Sequence, residues 1–174
     1  PIGLALGSGG ARGWAHIGVI RALQRAGINA EVVCGTSVGA LVGAVHVGGN
    51  LDHLAEWALG LSKLSLLRYL DVRMSGGGFI AGRKLMQLLS QNLRDINIED
   101  LPNPFAVVAA ELGTGHEVWL QKGPLADAAR ASFALPGIFQ PVPGDRQLLV
   151  DGALVNPIPV STCRALGARL VIAV

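Results

Sequence analysis

The first fifty residues alternate between short apolar runs and segments whose apolar residues recur at helical spacing. Ile2–Leu6 is an apolar run that leads into a glycine-rich loop, a pattern typical of a strand. Trp14–Arg25 carries apolar residues at helical spacing, and Gly27 supplies a stop signal. Glu31–Cys34 predicts a second buried strand, and Val38–Val47 predicts a helix of small residues. This βαβα order predicts a parallel sheet covered by helices.

The same alternation continues after residue 50. The pattern predicts four more helices, over Leu51–Leu61, Arg83–Leu93, Leu125–Phe133 and Val160–Leu166. It predicts four more strands, over Phe105–Leu112, His116–Leu120, Leu148–Val150 and Leu170–Val174. Ser62–Arg83 is irregular, and Pro136–Pro143 is a proline-rich connection. No repeat or linker divides the sequence, so we expect one α/β domain over residues 1–174. Because the chain starts at Pro1 and stops inside an apolar run, we expect an excerpt of a longer protein, truncated at the C-terminal side.

Composition and charge exclude two classes of protein. Hydrophobic residues make up 51% of the 174 residues and charged residues only 15%, against roughly 25% charged in an average soluble protein. Such a chain has enough apolar surface to offset the entropy of folding, which excludes a disordered protein. The net charge is only +2 and no basic run is present, so we expect no nucleic-acid partner.

The cysteine and histidine pattern predicts neither a disulfide framework nor a metal centre. Cys34 and Cys163 lie in apolar surroundings and are predicted to be buried free thiols. CxxC, HExxH and Cys/His clusters are absent from the sequence, and we expect no cofactor. The uncharged stretch Val32–Leu51 has the length of a membrane span. Because Gly35-Thr36 interrupts this stretch and Gly48-Gly49-Asn50 ends it, we interpret it as a strand, a sharp turn and a buried helix.

The segment Gly35-Thr36-Ser37-Val38-Gly39 has the G-x-S-x-G pattern of a nucleophile elbow. It follows a predicted strand and opens a predicted helix, which is the context that the motif requires. The flanking glycines permit a strained turn that a Cβ would obstruct. The turn presents Ser37 at a helix N-terminus, where developing negative charge is favoured. Ser37 is the candidate nucleophile, and a structural tight turn is the alternative.

The glycine-rich segment Gly7–Gly13 has two functional interpretations. As a dinucleotide-binding loop it departs from G-x-G-x-x-G, because Arg12 takes the place of the third glycine and no acid ends the second strand. As an oxyanion hole it would direct backbone N–H groups at a tetrahedral intermediate beside Ser37. The donors would be Gly9, Gly10 and Ala11. A plain glycine turn is the structural alternative.

The candidate base is Asp151. No histidine follows His116, so the usual α/β-hydrolase order of Ser, Asp and His is incomplete. Asp151 ends an apolar strand and precedes Gly152 and Ala153, whose small size permits close approach of another backbone. A carboxylate in apolar surroundings has a raised pKa and is a better base for a serine hydroxyl. A dyad of Ser37 and Asp151 is the economical hypothesis, and an ordinary Asp-Gly turn is the alternative.

Taken in order, these motifs resemble those of the patatin-like phospholipases. They are G-x-G-G-x-R-G after the first strand, G-T-S-V-G after the second, and D-G-A far downstream. Ala131–Pro141 is similar to the segment that this family places before D-G-A/G. The likeness is strongest to the bacterial and neuropathy-target-esterase-like branch and extends from Ile2 to about Val174. As an ordered set the motifs are highly specific.

The resemblance implies a three-layer α/β/α fold with a mostly parallel sheet. It also implies a serine acyl hydrolase acting on phospholipid or lysophospholipid esters, with Ser37 as nucleophile, Asp151 as general base and the glycine loop as oxyanion hole. The implied loop support and the remaining motif positions are Arg12, Gly13, Gly35, Gly39, Gly152 and Ala153. Ser8 is a departure, because loops of this family often carry glycine there.

Three alternatives stay open at this point. An acyltransferase would form the same acyl-enzyme and differ only in the acceptor. A nucleotide-binding module would use the first glycine loop, against which Arg12 and the missing acid argue. A non-catalytic interaction domain would keep the fold, although Ser37 and Asp151 are both intact. The few cysteines and the lack of a visible signal peptide favour the cytoplasm.

The leucine-rich segment Leu61–Arg73, with its interspersed basic residues, is a candidate lipid-facing patch. Basic residues among apolar ones suit an anionic membrane surface, and an irregular segment capping the core fits the same pattern. If the patch supports peripheral membrane association, reversing the charge of Arg68 and Arg73 weakens binding to anionic lipid vesicles. Vesicle binding that is unchanged in this variant would contradict the membrane interpretation.

Overall fold

The computed structural model describes residues 1–60, 87, 89–91, 93 and 95–174. The irregular segment Ser62–Arg83 and the candidate patch Leu61–Arg73 lie outside the described residues. Of the predicted helix Arg83–Leu93, the described residues 87 and 89–91 are helical, whereas Leu93 is in a bend. Ser37, Asp151 and the glycine loop Gly7–Gly13 are among the described residues.

One mixed sheet runs through the described part of the chain. Its seven strands are β1 (Ile2–Leu6), β2 (Val32–Thr36), β3 (Phe105–Glu111), β4 (Glu117–Leu120), β5 (Val142–Pro143), β6 (Leu148–Asp151) and β7 (Leu170–Ala173). The order is β5–β6–β3–β2–β1–β7, and β4 also pairs with β3. Neighbours among β7, β1, β2 and β3 are parallel, whereas β4 and β6 are antiparallel to β3. The parallel centre confirms the expected α/β class, and β5 lies within the connection Pro136–Pro143, for which no strand was predicted.

The helices follow the predicted pattern closely. The α-helices are α1 (Ala15–Arg25), α2 (Val38–Val47), α3 (Leu51–Gly60), α4 (Leu125–Ser132) and α5 (Val160–Ala165). Short 3-10 helices cover Gly10–Trp14, Ile98–Asp100 and Gly152–Leu154. Each of the five α-helices agrees with its predicted bounds to within one residue at either end. The apolar spacing predicts α1, α3 and α4 because each buries one face. Helix α2 is buried throughout Val38–Val45, and its run of small apolar residues predicts it instead.

Helices cover both faces of the sheet and produce three layers. In the larger layer α2 is buried from Val38 to Val45 and packs with α1, α3, α4 and the inner face of the sheet. On the opposite face α5 packs Cys163 against Ala5, Cys34 and Ala106. Cys34 and Cys163 are both buried and free, as predicted. No helix in the described ranges has both the length and the apolar character of a membrane span.

Strands β2 and β6 occupy the same edge of β3. β2 pairs with residues 105–108 of β3 and β6 with residues 109–111, while β4 pairs with residues 107–110 and so takes the other edge. Since β2 is parallel and β6 antiparallel to β3, their C-terminal ends point at each other. Strand β2 ends with Thr36 opposite Val108, and strand β6 ends with Asp151 opposite Ala109. This head-on arrangement brings together residues that are 114 positions apart in the chain.

Helix α2 begins in close contact with the end of β1. A Cβ on Gly39 would overlap the carbonyl groups of Leu6 and Gly7, so this approach requires glycine. A Cβ on Gly13 would overlap the side chain of Val38 in the same way. The first turn of α2 is therefore held between the end of β1 and the glycine loop.

Gly39→Ala is expected to lower the free energy of unfolding by about 1–3 kcal/mol, the usual range for overpacking. Urea unfolding followed by circular dichroism measures this change. Gly18→Ala is the matched control, since a Cβ on Gly18 of α1 would meet nothing within 4 Å. The control is expected to raise the free energy of unfolding by roughly 0.5–1 kcal/mol. Equal stability of the two variants would contradict the close contact at Gly39.

Candidate active site

Ser37 lies between β2 and α2 in a strained backbone conformation. Its φ is +56° and its ψ is −121°, a region that costs a non-glycine residue on the order of 1–3 kcal/mol. A Cβ on Gly35 would come within 2.6 Å of the backbone nitrogen of Ala40, so the turn also needs glycine at that position. The strand–turn–helix geometry predicted for G-T-S-V-G is present. Ser37 is only 4% exposed.

Ser37 and Asp151 are joined by a short hydrogen bond. Ser37 Oγ donates to Asp151 Oδ2 at 2.7 Å. The second carboxylate oxygen, Oδ1, accepts from the N–H of Ala153 at 2.8 Å. A Cβ on Gly152 would overlap the carbonyl oxygen of Val108, so glycine lets this turn lie directly against β3. In the D-G-A motif, the glycine permits the close approach and the alanine N–H orients the carboxylate.

Burial raises the pKa of Asp151 above its ordinary value, because desolvation disfavours the charged carboxylate. The hydrogen bonds from Ser37 and from the N–H of Ala153 act in the opposite direction and stabilise the charge. Desolvation is the largest of these effects. The Asp151 carboxyl group therefore has a raised proton affinity and is hydrogen-bonded to the Ser37 hydroxyl. Such a group accepts a proton more readily than a solvated aspartate does.

Three hydrogen bonds hold the base of the glycine loop. Gly7 N–H donates to the carbonyl of Val174 at 2.9 Å, and Ser8 N–H donates to that of Pro157 at 2.8 Å. His16 Nε2 donates to the Gly7 carbonyl oxygen at 2.8 Å. Burial lowers the pKa of His16, which favours the neutral imidazole in this bond. Helix α1 therefore supports the loop through a contact that the residue pattern did not predict.

The glycine loop lies beside Ser37, since β1 and β2 are adjacent parallel strands. Gly9 and Gly10 have φ values of +156° and +55°, which favour glycine at both positions. Among the described residues, none accepts a hydrogen bond from the N–H groups of Gly9, Gly10 and Ala11. Consecutive N–H groups without acceptors are suited to bind an anionic oxygen.

Arg12 is exposed, and its guanidinium forms no ion pair within the described part of the chain. Its backbone N–H donates to the carbonyl of Gly9 at 3.2 Å. The contact that Arg12 makes to the loop is thus a backbone contact. Over the ranges that the structure describes, no group of three or more His, Cys, Asp and Glu side chains is arranged to hold a metal ion.

Ser132, the last residue of α4, also belongs to the site. Its hydroxyl is fully buried, donates to the carbonyl of Val108 at 2.5 Å and accepts from the N–H of Ser37 at 2.9 Å. Ser132 lies in the segment Ala131–Pro141 of the family resemblance, but the motif analysis gave it no role. The available signal was a serine on the buried, alanine-rich face of a helix, where a polar group needs a partner.

The sequence profile of the patatin-like phospholipases matches residues 4–164. The chain belongs to this family. It is 44% identical over 173 residues to an uncharacterized NTE family protein of Mycobacterium tuberculosis, covering 99% of this chain and 48% of that protein. It is 34% identical over 180 residues to neuropathy target esterase sws of Drosophila melanogaster, covering 99% of this chain and 13% of that protein. The chain thus spans about half the length of the mycobacterial relative.

A solved structure has the same fold as this patatin-like chain. VipD from Legionella pneumophila superposes with a TM-score of 0.55 at 15% identity, over 89% of this chain and 46% of that one. At this level of identity the likeness concerns the fold alone. Together with the family profile it confirms the expected patatin-like α/β fold.

The raised pKa of Asp151 predicts a pH-dependent stability of the patatin-like fold. Asp151 holds its proton more tightly in the folded state than in the unfolded chain, where its pKa is about 3.9. The resulting stabilisation is full below that value and is lost as the pH rises through the folded-state pKa. Asp151→Asn does not titrate, so its free energy of unfolding relative to wild type should increase across this window. Urea unfolding at a series of pH values measures the difference.

Asp127→Asn is the control, because it removes an exposed carboxylate from α4. The control shows whether the loss of a carboxylate as such changes the free energy of unfolding. A difference between Asp151→Asn and wild type that does not change with pH would show that the folded state does not raise the pKa of Asp151.

Proposed function

We propose that the chain is a serine acyl hydrolase that cleaves carboxylic ester bonds of phospholipids or lysophospholipids. The observation that carries the proposal is the 2.7 Å hydrogen bond from Ser37 Oγ to Asp151 Oδ2. A serine hydroxyl is a weak nucleophile unless an adjacent base accepts its proton. Here the base is buried, has a raised pKa and lies within hydrogen-bond reach of the hydroxyl.

In the first step Ser37 Oγ attacks the ester carbonyl carbon while its proton passes to Asp151. The carbonyl oxygen becomes an oxyanion, which the N–H groups of the glycine loop stabilise. When the tetrahedral intermediate collapses, the ester C–O bond breaks and Asp151 gives the proton to the leaving alcohol. This step leaves an acyl group on Ser37 and an ionised Asp151.

In the second step a water molecule attacks the carbonyl carbon of acyl-Ser37. Asp151 accepts a proton from the water, and the loop again holds the oxyanion. Collapse of this intermediate breaks the bond to Ser37 Oγ, which takes the proton back from Asp151. The products are a free fatty acid and the regenerated dyad.

The glycine loop supplies the electrostatic part of the proposed mechanism. Fixed backbone donors need no reorganisation as charge develops, and in other hydrolases one such donor contributes roughly 2.7–4 kcal/mol. The hydrogen bonds at Gly7 and Ser8 fix the base of the loop and leave the next three N–H groups without an acceptor among the described residues. The N-terminus of α2 at Ser37 adds a favourable dipole.

Family membership supports lipid esters as the substrate class. The family is named for phospholipases, and the Drosophila relative is named an esterase. Phospholipid and lysophospholipid substrates reside at membranes, so we propose that the protein associates peripherally with a membrane surface. The free thiols of Cys34 and Cys163 are compatible with the reducing cytoplasm.

A fluorophosphonate probe tests the proposal, because an activated Ser37 Oγ displaces fluoride and forms a stable adduct. Intact mass spectrometry of the folded protein should show one adduct, which is absent in Ser37→Ala. Asp151→Asn removes the base and should lower the labelling rate by roughly 10²–10⁴-fold.

Ser161→Ala is the matched control, since it removes an exposed serine of α5. This variant should label at the wild-type rate and release fatty acid from a lysophospholipid as wild type does. Two results would contradict the proposal: an adduct that persists in Ser37→Ala, or a folded wild-type protein that does not react.

A further inference from the structure

We infer that Ser132 is a positioning residue for the nucleophile, and this inference rests on the proposed function of Ser37. The Ser132 hydroxyl lies between two backbone groups that a regular sheet would join directly. It accepts from Ser37 N–H at 2.9 Å and donates to the carbonyl of Val108 at 2.5 Å.

The pairing of β2 with β3 shows which bond has been replaced. Val33 N–H donates to the carbonyl of Pro104 at 3.0 Å, and the register continues to the pair of Thr36 with Val108. In a parallel pair of strands, the N–H groups of alternate residues in one strand donate to carbonyl groups of the neighbouring strand. Gly35 is the next donor in this series, and the member after it, four residues beyond Val33, would be Ser37 N–H to the carbonyl of Val108. The Ser132 hydroxyl occupies the middle of that bond.

This insertion explains how Ser37 leaves the sheet. A direct bond to Val108 would hold Ser37 as one more strand residue. The Ser132 hydroxyl between Ser37 N–H and the Val108 carbonyl, here called the relay, lengthens this connection by one oxygen atom. The chain can then turn to a φ of +56° with both backbone groups still paired. Such pairing matters because the relay is fully buried and water does not reach it.

The segment that carries Ser132 also holds Asp151. Two residues after Ser132, the carbonyl of Ala134 accepts from the N–H of Asp151 at 2.9 Å. One short stretch of chain therefore binds the backbone of both members of the dyad. The distance between Ser37 Oγ and Asp151 Oδ2 depends on how these two bonds are spaced.

The surroundings of Ser132 indicate that its hydroxyl is not needed for packing. The other buried residues of α4 are apolar: Leu125, Ala128, Ala129 and Ala131. A serine in a helix often bonds back to a carbonyl of its own helix, but this hydroxyl reaches out to β3 and to Ser37. An alanine would satisfy the packing of α4 and would lose the relay.

The test is made in the complete protein with Ser132→Ala and Ser132→Thr. Without the hydroxyl, Ser37 shifts toward the strand, and a displacement of about 1 Å reduces turnover by roughly 100-fold. We expect a loss of this size in kcat and in the fluorophosphonate labelling rate per folded molecule, with KM nearly unchanged. Ser132→Thr keeps a hydroxyl and should retain most of the activity.

Thr162→Val is the matched control for removing a buried hydroxyl. Thr162 is fully buried, and its Oγ1 has no hydrogen-bond partner among the described residues. This control should label at the wild-type rate. Ser132→Ala that labels at the wild-type rate per folded molecule would overturn the inference.

Amide hydrogen exchange separates this inference from the proposed function. In Ser132→Ala the Ser37 amide should exchange faster than in wild type, while the Val33 amide of the intact ladder serves as the unchanged reference. If the wild-type protein shows no labelling of Ser37, the proposed function fails, and the exchange result still decides on the relay. Faster exchange of Ser37 alone supports the positioning of the turn by Ser132, and unchanged exchange overturns it.

Discussion

The hydrogen bond between Ser37 and Asp151 depends on two strands that run toward each other along one edge of β3. Where two neighbouring strands are parallel, their carboxyl ends lie side by side, about 4.8 Å apart, and do not face each other. β2 and β6 instead end opposite adjacent residues of β3, Val108 and Ala109. The first residue beyond β2 then meets the last residue of β6. Gly152 is needed because its turn lies directly against the carbonyl of Val108. Gly35 and Gly39 are needed because the turn at Ser37 lies against the start of α2 and the end of β1.

The arrangement is energetically unfavourable at its centre and is held by its surroundings. Ser37 has a strained backbone and Asp151 is a buried carboxyl group, and both features oppose folding. The residues around them supply the compensation: α2 is buried along almost its whole length, and Ser132 pairs the backbone groups that the turn would otherwise leave without partners. Thr36 Oγ1 also donates to the carbonyl of Asn156 at 2.9 Å, which ties the segment after Asp151 to the turn.

The glycine loop has a different kind of support. Its base is bonded to Val174, to Pro157 and to His16, which come from three separate parts of the chain. All three contacts act on Gly7 and Ser8, and they leave the N–H groups of the following residues unpaired among the described residues. A loop fixed at its base with free donors at its tip is the arrangement that an oxyanion site requires.

Local information in the sequence was sufficient for the elements and for the chemistry-bearing motifs. Continuous apolar runs predicted α2 and β1 with the bounds observed, because both elements are buried almost throughout and each is followed by a glycine. G-T-S-V-G and D-G-A were recognisable because close backbone contacts leave a signature of glycine and alanine. Only the tertiary structure decided that β6 runs antiparallel into the end of β2, that Ser132 replaces a ladder bond, and that His16 holds Gly7. The bonds of Ser37 to Ser132 and to Asp151 join residues 95 and 114 positions apart and depend on strand pairing, which no local pattern of residues encodes. The bond of His16 to Gly7 spans nine positions, and it depends on how α1 folds back against the glycine loop.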